Sequence, residues 1–575
     1  MVAAPPRAQQ QHAARGWRSL VEALRDPARS EFAFVPHQYV HAPAELVDVS
    51  LSPGESTPIN ARKDFTERSS PYQLNRFFVL HVVAIGVSAM CCAWVALFPI
   101  SATRLYNMQV DVFNTNHVHA TYFFNECLYL GQILGAAAAG YLGDRLGRAG
   151  ALELAAIPYI VGWLLVGLAY GEITVIIGRY LLGMATGMMS VVAPIYLAEV
   201  SAARTRGRVL CVQALCAALG SACYVAIGVL CIYLSRAYFG FNLSEWKVLA
   251  MVGLTPGLVL LLAMQKLPDS PTWLVMRHDD RETAFEILAK LFNGSYKNAE
   301  YHVNAIIHAN LLASKHQDRM HSRVVLLLRP LALCCVLFTL RAFASSLVEP
   351  TLSATSKTNA FMVTLFGIDV DGTETELLIA MTCMWIAACI GVLCCFLLID
   401  VRGRLLALRF GCYVVVCGCA FIMLSAYRSN KTDGQLTDYG SATMMLILAG
   451  HELGLGVVPV VVASELFPVR LRVGAMSLVV VWDRAVRLGL ASYVVPFLRA
   501  NLHSLHVFWL GAGLVLLCNV GGIVVSWFYL PETSKRSLQE IEAILSGWQP
   551  ATPQLGFSRV RLGGLRYGTS FSHSA

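Results

Sequence analysis

Asp483, Arg484 and Arg487 sit close together in "VVVWDRAVRLGLAS", a stretch otherwise apolar enough to cross a membrane. Charges at bilayer depth are costly, so they normally face a cavity, a partner, or both. Arg341 in "LFTLRAFASSLVEP" and Glu452 in "GHELGLGVVPVVVASELFP" pose the same question. At 1.5 Å per helical residue, Asp483 lies roughly 15 Å from the Arg-rich end of its span, Arg341 roughly 18 Å into its own, and Glu452 roughly 20 Å from Glu465. All three fall near the midplane. Asp483 and Arg487 are spaced i,i+4 and can neutralise each other on one helix face, and Arg341 can pair with Glu452. Such a structural network and a solute-contact role for Arg341, Asp483 or Arg484 both remain open on these residues alone.

A second set of charges recurs at the ends of apolar runs. "GDRLGR" holds Asp144, Arg145 and Arg148, and "EVSAARTRG" holds Glu199 and Arg206. "DVRGR" holds Asp400 and Arg404, and "ELFPVRLRVG" holds Glu465, Arg470 and Arg472. Lys and Arg alone would be ordinary positive-inside anchors. The interleaved Asp and Glu are not explained that way.

The elements that must position these groups are membrane helices. Of 575 residues, 56% are hydrophobic and only 14% charged, and mean hydropathy is +0.58. A span needs roughly 20 apolar residues. The chain offers 77–100, 121–142, 150–170, 173–197, 209–234 and 246–267, then 330–348, 377–399, 405–427, 442–462, 474–497 and 507–530. "GDRLGR" pairs with "DVRGR", "EVSAARTRG" with "ELFPVRLRVG", and "PDSPTWL" with "PETSKRSLQEIE", each pair separated by roughly 260 residues, as a parallel repeat of six spans requires. The fold expected is therefore all-α and integral to the membrane, with twelve transmembrane helices in two six-helix bundles. The domains follow as an N-terminal tail 1–76, a first bundle 77–267, a loop with short helices 268–329, a second bundle 330–530 and a C-terminal tail 531–575. The Arg-rich short loops put both termini and the central loop in the cytoplasm. Gly183 and Gly187 form a small-xxx-small face suited to close helix approach in lipid.

These residues resemble the major facilitator superfamily, and within it the sugar porter family. The resemblance covers about residues 77 to 545 and is sharpest in "GRYLLGMATGMMSVVAPIYLAEVSAARTRG". It implies that the end clusters latch the two halves together when the solute pathway opens outward, and that "SPTWLVMRHDDRETAFEILAKLF" is an amphipathic helix bracing that latch. It also implies where a hexose would bind. At those positions this chain carries Arg341, Ala342 and Leu347 in span 7, Ala388 in span 8, Val460 for a tryptophan in span 10, and Asp483 and Arg484 in span 11. Span 5 carries Ala214, with Gln213 one residue out of register; span 10 keeps Glu452 and Glu465. The substrate-contact candidates are thus Gln213, Arg341, Glu452, Val460, Asp483 and Arg484. In proton-driven relatives Arg179 faces an acid of span 1, but "HVVAIGVSAMCCAWVALF" has none. Glu126 and Arg179 are placed on the outer side.

The function these features point to is a transporter of a small polar solute by alternating access, in a multi-pass protein of the plasma membrane. By resemblance that solute is a sugar or polyol, with a charged solute as the variant its site residues suggest. Movement is expected to be facilitative rather than coupled through a span 1 acid. An organic-ion carrier of related fold and a non-transporting nutrient sensor are the alternatives. The 17 cysteines lie in or beside apolar runs without zinc-ligand spacing. No cofactor, metal, nucleic-acid partner or enzyme motif is expected; lipid and a small solute are. If the chain passes through a secretory pathway, an N-linked glycan should appear on Asn430 or Asn242 and not on Asn293. Glycan at Asn293, read by peptide mass mapping after deglycosylation, would reverse the topology.

Overall fold

The computed structural model describes residues 76–101, 118–238, 245–291, 299–300, 302–304, 306–307, 320–348, 374–429, 439–494, 504–536, 538 and 541. The three sequons and most of both tails lie outside these residues. Six long helices form the first half: α1 (Arg76–Ser101), α2 (Val118–Arg145), α3 (Gly147–Gly167), α4 (Glu172–Val200), α5 (Arg206–Tyr238) and α6 (Glu245–Met264). Between the halves come α7 (Pro271–Trp273), continued by a π-turn over Leu274–His278, and α8 (Arg281–Leu291). The second half holds α9 (Met320–Val348), α10 (Glu374–Leu398), α11 (Arg404–Ser429), α12 (Tyr439–His451), α13 (Val458–Leu466), α14 (Arg472–Gly489) and α15 (Ser504–Phe528). α12 and α13 form one span joined by a π-turn over Glu452–Gly456, which completes six spans per half.

Among the described residues nine helices are long and apolar enough to span a bilayer by length and composition alone. The other three fall short for local reasons. α2 carries polar Asn125, Glu126 and Gln132 among its apolar residues, the described apolar part of α10 is short (Thr382–Leu398), and α14 carries the charges already noted. Lipid-facing positions are apolar and exposed, as on α10 at Ile386, Ile390, Leu393 and Leu397. An exposed apolar belt of this kind belongs against lipid.

Two elements differ from the sequence expectation. The helix of span 7 begins at Met320, ahead of Pro330, while its apolar part is Leu328–Ser345, because polar His321, Ser322 and Arg323 lower hydropathy without preventing helix. The bracing segment is not one helix: Asp279 adopts φ 51° and breaks it between His278 and Arg281.

Packing inside each half relies on missing side chains. A Cβ on Gly183 would lie 2.2 Å from Leu128 O, and one on Gly187 would lie 2.2 Å from Gln132 O. Gly131 and Gly135 of α2 meet Tyr180 O and Met184 O equally closely from the other side. Backbone therefore meets backbone along the α2–α4 crossing, the close approach expected of a small-xxx-small face. The halves meet through two equivalent pairs, α5 against α10 and α14 against α2. Ser477 of α14 donates its hydroxyl to Ala136 O of α2 at 2.7 Å across this boundary.

Candidate functional site

Each half brings one arginine onto one glutamate at its Arg-rich end. Arg148, near the start of α3, donates Nε and Nη2 to the two carboxylate oxygens of Glu199, both at 3.0 Å. Arg404, at the start of α11, meets Glu465 of α13 in the same way at 3.4 and 3.0 Å. Paired N–H···O contacts of this kind are the strong planar geometry of a guanidinium. Arg148 and Arg404 also reach Asp144 and Asp400, four residues back, at 3.5 and 2.8 Å.

What fixes each arginine is a glycine and a distant carboxylate. Gly147 and Gly403 adopt φ 88° and 98°, a region open to glycine and strained for other residues. The backbone amides just beyond them are the free donors of a helix start, which favour an anion. Asp269 Oδ1 accepts from the amides of Arg148 and Ala149 at 2.6 and 3.0 Å. Glu532 accepts from those of Arg404 and Leu405 at 3.0 and 3.1 Å. A Cβ on Gly147 would sit 2.1 Å from the Asp269 carboxylate, and one on Gly403 would sit 2.6 Å from that of Glu532. The next residue in each segment completes the unit: Ser270 donates its hydroxyl to Glu199, and Thr533 donates its own to Glu465 at 2.5 Å. Burial pushes the Asp269 carboxyl above the usual carboxylate range, against the pull of the Ala149 and Arg148 amides. Burial does the same to Asp400, against Arg404 and the Arg208 amide.

The two units are tied across the boundary between the halves. Arg472 of α14 places Nη1 3.9 Å from Glu199, and Arg206 of α5 places Nη1 3.9 Å from Glu465. The arrangement is reciprocal: each half's arginine reaches the other half's glutamate. One contact breaks the symmetry. Asp400 accepts from the Arg208 amide of the opposite half at 2.8 Å and is buried, whereas the Asp144 side chain is 45% exposed. Of the ten end charges singled out in the sequence, eight meet here. Arg145 is exposed and lies over the Tyr141 ring at 4.6 Å, and Arg470 is exposed. Asp269, Ser270, Glu532 and Thr533 were missed as site residues, although their repeated Pro-Asp-Ser and Pro-Glu-Thr segments were the available signal.

The deeper charges form a second cluster. Asp483 and Arg487 are both buried, with Arg487 Nε 3.4 and 3.3 Å from the two carboxylate oxygens. Arg484 Nε lies 3.6 Å from Asp483 Oδ2, and its side chain is 21% exposed. Arg341 of α9 acts on Asp483 as well and lies over the Phe338 ring at 5.7 Å. Arg341 and Arg487 also act on His451, a buried residue at the end of α12 that sequence reasoning passed over. Glu452 folds back along its own π-turn, toward Gly456. Gln213 and Val460 are half-buried, and among the described residues no hydrogen bond or ion pair joins either to this cluster. Arg179 is buried inside the first half, donating to Val95 O at 2.6 Å and lying over the Phe124 ring; Glu126 is half-buried on α2.

Residues 82–545 match the model of a family described as sugar (and other) transporter. The chain belongs to that family. Sugar transporter ERD6-like 8 of Arabidopsis thaliana is 26% identical over 73% of this chain and 84% of its own. Probable polyol transporter 4 of the same plant is 28% identical over 72% and 76%. Among solved structures, the major facilitator proton:xylose symporter XylE bound to 6-bromo-6-deoxy-D-glucose superposes with a TM-score of 0.69 at 17% identity, covering 82% of this chain and 99% of that one. That likeness shows the fold, two six-helix bundles of the major facilitator type. Family and fold together make the protein a multi-pass membrane transporter and not an enzyme.

Arg404 and Arg145 should respond differently to truncation. Arg404→Ala leaves buried Glu465 without its bidentate partner, a loss of about 3–5 kcal/mol. Arg145→Ala, at an exposed position, should leave the unfolding midpoint nearly unchanged. Unfolding followed in detergent micelles checks both.

Proposed function

We propose that this chain carries a small polar solute across the plasma membrane by alternating access, with the Arg-rich end as its cytoplasmic gate and both termini on that side. The observation that carries the reading is the reciprocal pair of contacts, Arg472 to Glu199 and Arg206 to Glu465. Contacts that hold two rigid bodies together at one end, and break when that end opens, supply the two-state element a rocking carrier needs. The four groups sit at helix ends, far from the deep cluster, so their task is to set the state of the halves rather than to touch cargo. The solute class proposed is a sugar or polyol, in line with the named relatives, or a related charged compound, which the charges of α9 and α14 suggest.

Facilitative movement is the proposed mode. In α1 no acid is available to Arg179, whose guanidinium is instead held by the Val95 carbonyl. A proton route through that pair has no proton-carrying member.

Uptake of labelled sugars, polyols and their charged analogues into proteoliposomes, with and without a pH gradient, tests this directly. Flux should saturate and should not depend on the gradient. Binding without flux would replace the carrier by a sensor, and gradient-driven accumulation would replace facilitation by coupling. Arg206→Gln and Arg472→Gln should lower turnover at least several-fold while equilibrium solute affinity stays within a few-fold. A variant that lost affinity and kept its turnover would place these groups in the binding site instead.

A further inference from the structure

Arg409 of α11 belongs neither to the glutamate units nor to the deep cluster. It is half-buried and lies five residues beyond Arg404, roughly 8 Å along the helix from its Arg-rich end. Its Nε donates to Ser526 Oγ at 3.1 Å and its Nη2 to Ser526 O at 2.7 Å, and the group lies over the Trp527 ring at 3.9 Å. Ser526 O belongs to the last turn of α15, whose carbonyls have no partner within the helix. Such a helix end carries only about half a negative charge, and among the described residues no carboxylate forms an ion pair with Arg409. Glu532 acts on it, but its two oxygens already accept from the amides of Arg404, Leu405 and Ser534.

The surface around it says what Arg409 meets. Leu406, Phe410 and Tyr413 are exposed and share one face of α11, and Arg409 stands at the edge of that face. Trp527 of α15 is exposed beside it. An exposed apolar face on a membrane helix lies against lipid, and tryptophan and tyrosine mark the headgroup level. Arg409 is therefore presented to the bilayer at that level. One edge of its fork is held by Ser526, while Nη1 has no hydrogen bond among the described residues. The corner is cationic as well: Glu532 ties the turn that carries exposed Arg402 to the segment that carries exposed Lys535. The first half is built differently here. Five residues beyond Arg148, the counterpart of Arg404, stands Glu153.

We infer that this α11–α15 corner binds an anionic phospholipid, with its phosphate on the free edge of Arg409 and its glycerol and upper acyl chain against Trp527. The inference goes beyond the carrier reading and does not depend on it. A guanidinium fixed along one edge still offers a planar pair of donors along the other, the geometry that suits a phosphate. The apolar stripe of α11 beside it selects a lipid over a soluble phosphate, since acyl chains have a surface to lie on. The exposed Arg402 and Lys535 select a headgroup of net negative charge, because the ammonium of a zwitterionic one would meet like charge there.

The test is native mass spectrometry of the full-length protein, delipidated in detergent and titrated with phosphatidylglycerol or phosphatidylcholine of identical acyl chains. The first phosphatidylglycerol should bind at least fivefold more tightly than the first phosphatidylcholine. Arg409→Gln should bring the two lipids to parity, Arg409→Lys should keep part of the preference, and Trp527→Leu should reduce it by releasing the guanidinium. Arg145→Gln, at an exposed arginine of the first half, should leave the preference intact, and glycerol phosphate without acyl chains should not displace the lipid. Equal binding of the two lipids by the wild type, an unchanged preference in Arg409→Gln, an equal loss in Arg145→Gln, or displacement by glycerol phosphate overturns the inference. If Arg409→Gln does not fold, Arg409→Lys and Trp527→Leu decide, and a preference kept in full by both overturns it.

Discussion

Two buried glutamates, Glu199 and Glu465, govern the arrangement of the rest. A carboxylate removed from water is tolerated only when several donors satisfy it at once. Each glutamate is held by an arginine of its own half, by a hydroxyl from the segment that follows the sixth span of that half, and by an arginine of the other half. The first two contacts are internal to a bundle and persist in any state that keeps the bundle folded. The third spans the two halves, and on the carrier reading proposed above it breaks when the Arg-rich ends part. On the carrier reading proposed above, the close bidentate pairs stabilise each bundle and the longer 3.9 Å pairs do the switching.

The close α2–α4 crossing serves the same separation. Backbone in contact with backbone leaves little room for slip inside a bundle, so on the carrier reading proposed above displacement falls at the α5–α10 and α2–α14 boundaries. Across the α2–α14 boundary Ser477 donates to Ala136 O. Deep in the bilayer the second half contributes the charge. Asp483, Arg484 and Arg487 share one helix, with Arg341 and His451 on its neighbours.

Much of this was legible in the sequence. Helix positions followed from hydropathy, and the end charges that meet followed from motif pairs that recur at one spacing, because duplication copies chemistry along with fold. The Asp483–Arg487 pair was legible from helical periodicity alone. Asp269 and Glu532 were not, since their partners are amides more than a hundred residues away and nothing local marks them as helix-start acceptors. His451 was missed because a histidine in an apolar run gives no sign of whether its nitrogens are satisfied. The break at Asp279 was hidden for a different reason: its amphipathic pattern continues on both sides of a left-handed residue. The unequal burial of Asp144 and Asp400 breaks a symmetry that the motifs themselves keep.

The proposed carrier cycle requires the Arg-rich ends of the two halves to separate in every turnover. Cys211 of α5 and Cys395 of α10 are buried on opposite sides of that boundary with their sulfurs 3.8 Å apart, a few residues from Arg206 and Asp400. Treating the reconstituted protein with diamide and quantifying the Cys211–Cys395 disulfide by peptide mass spectrometry, alongside solute flux, tests the claim most directly. Crosslinking should abolish flux in proportion to its yield, reduction should restore it, and Arg206→Gln with Arg472→Gln should slow the crosslink by letting the ends part more often. Full flux in quantitatively crosslinked protein would contradict the account.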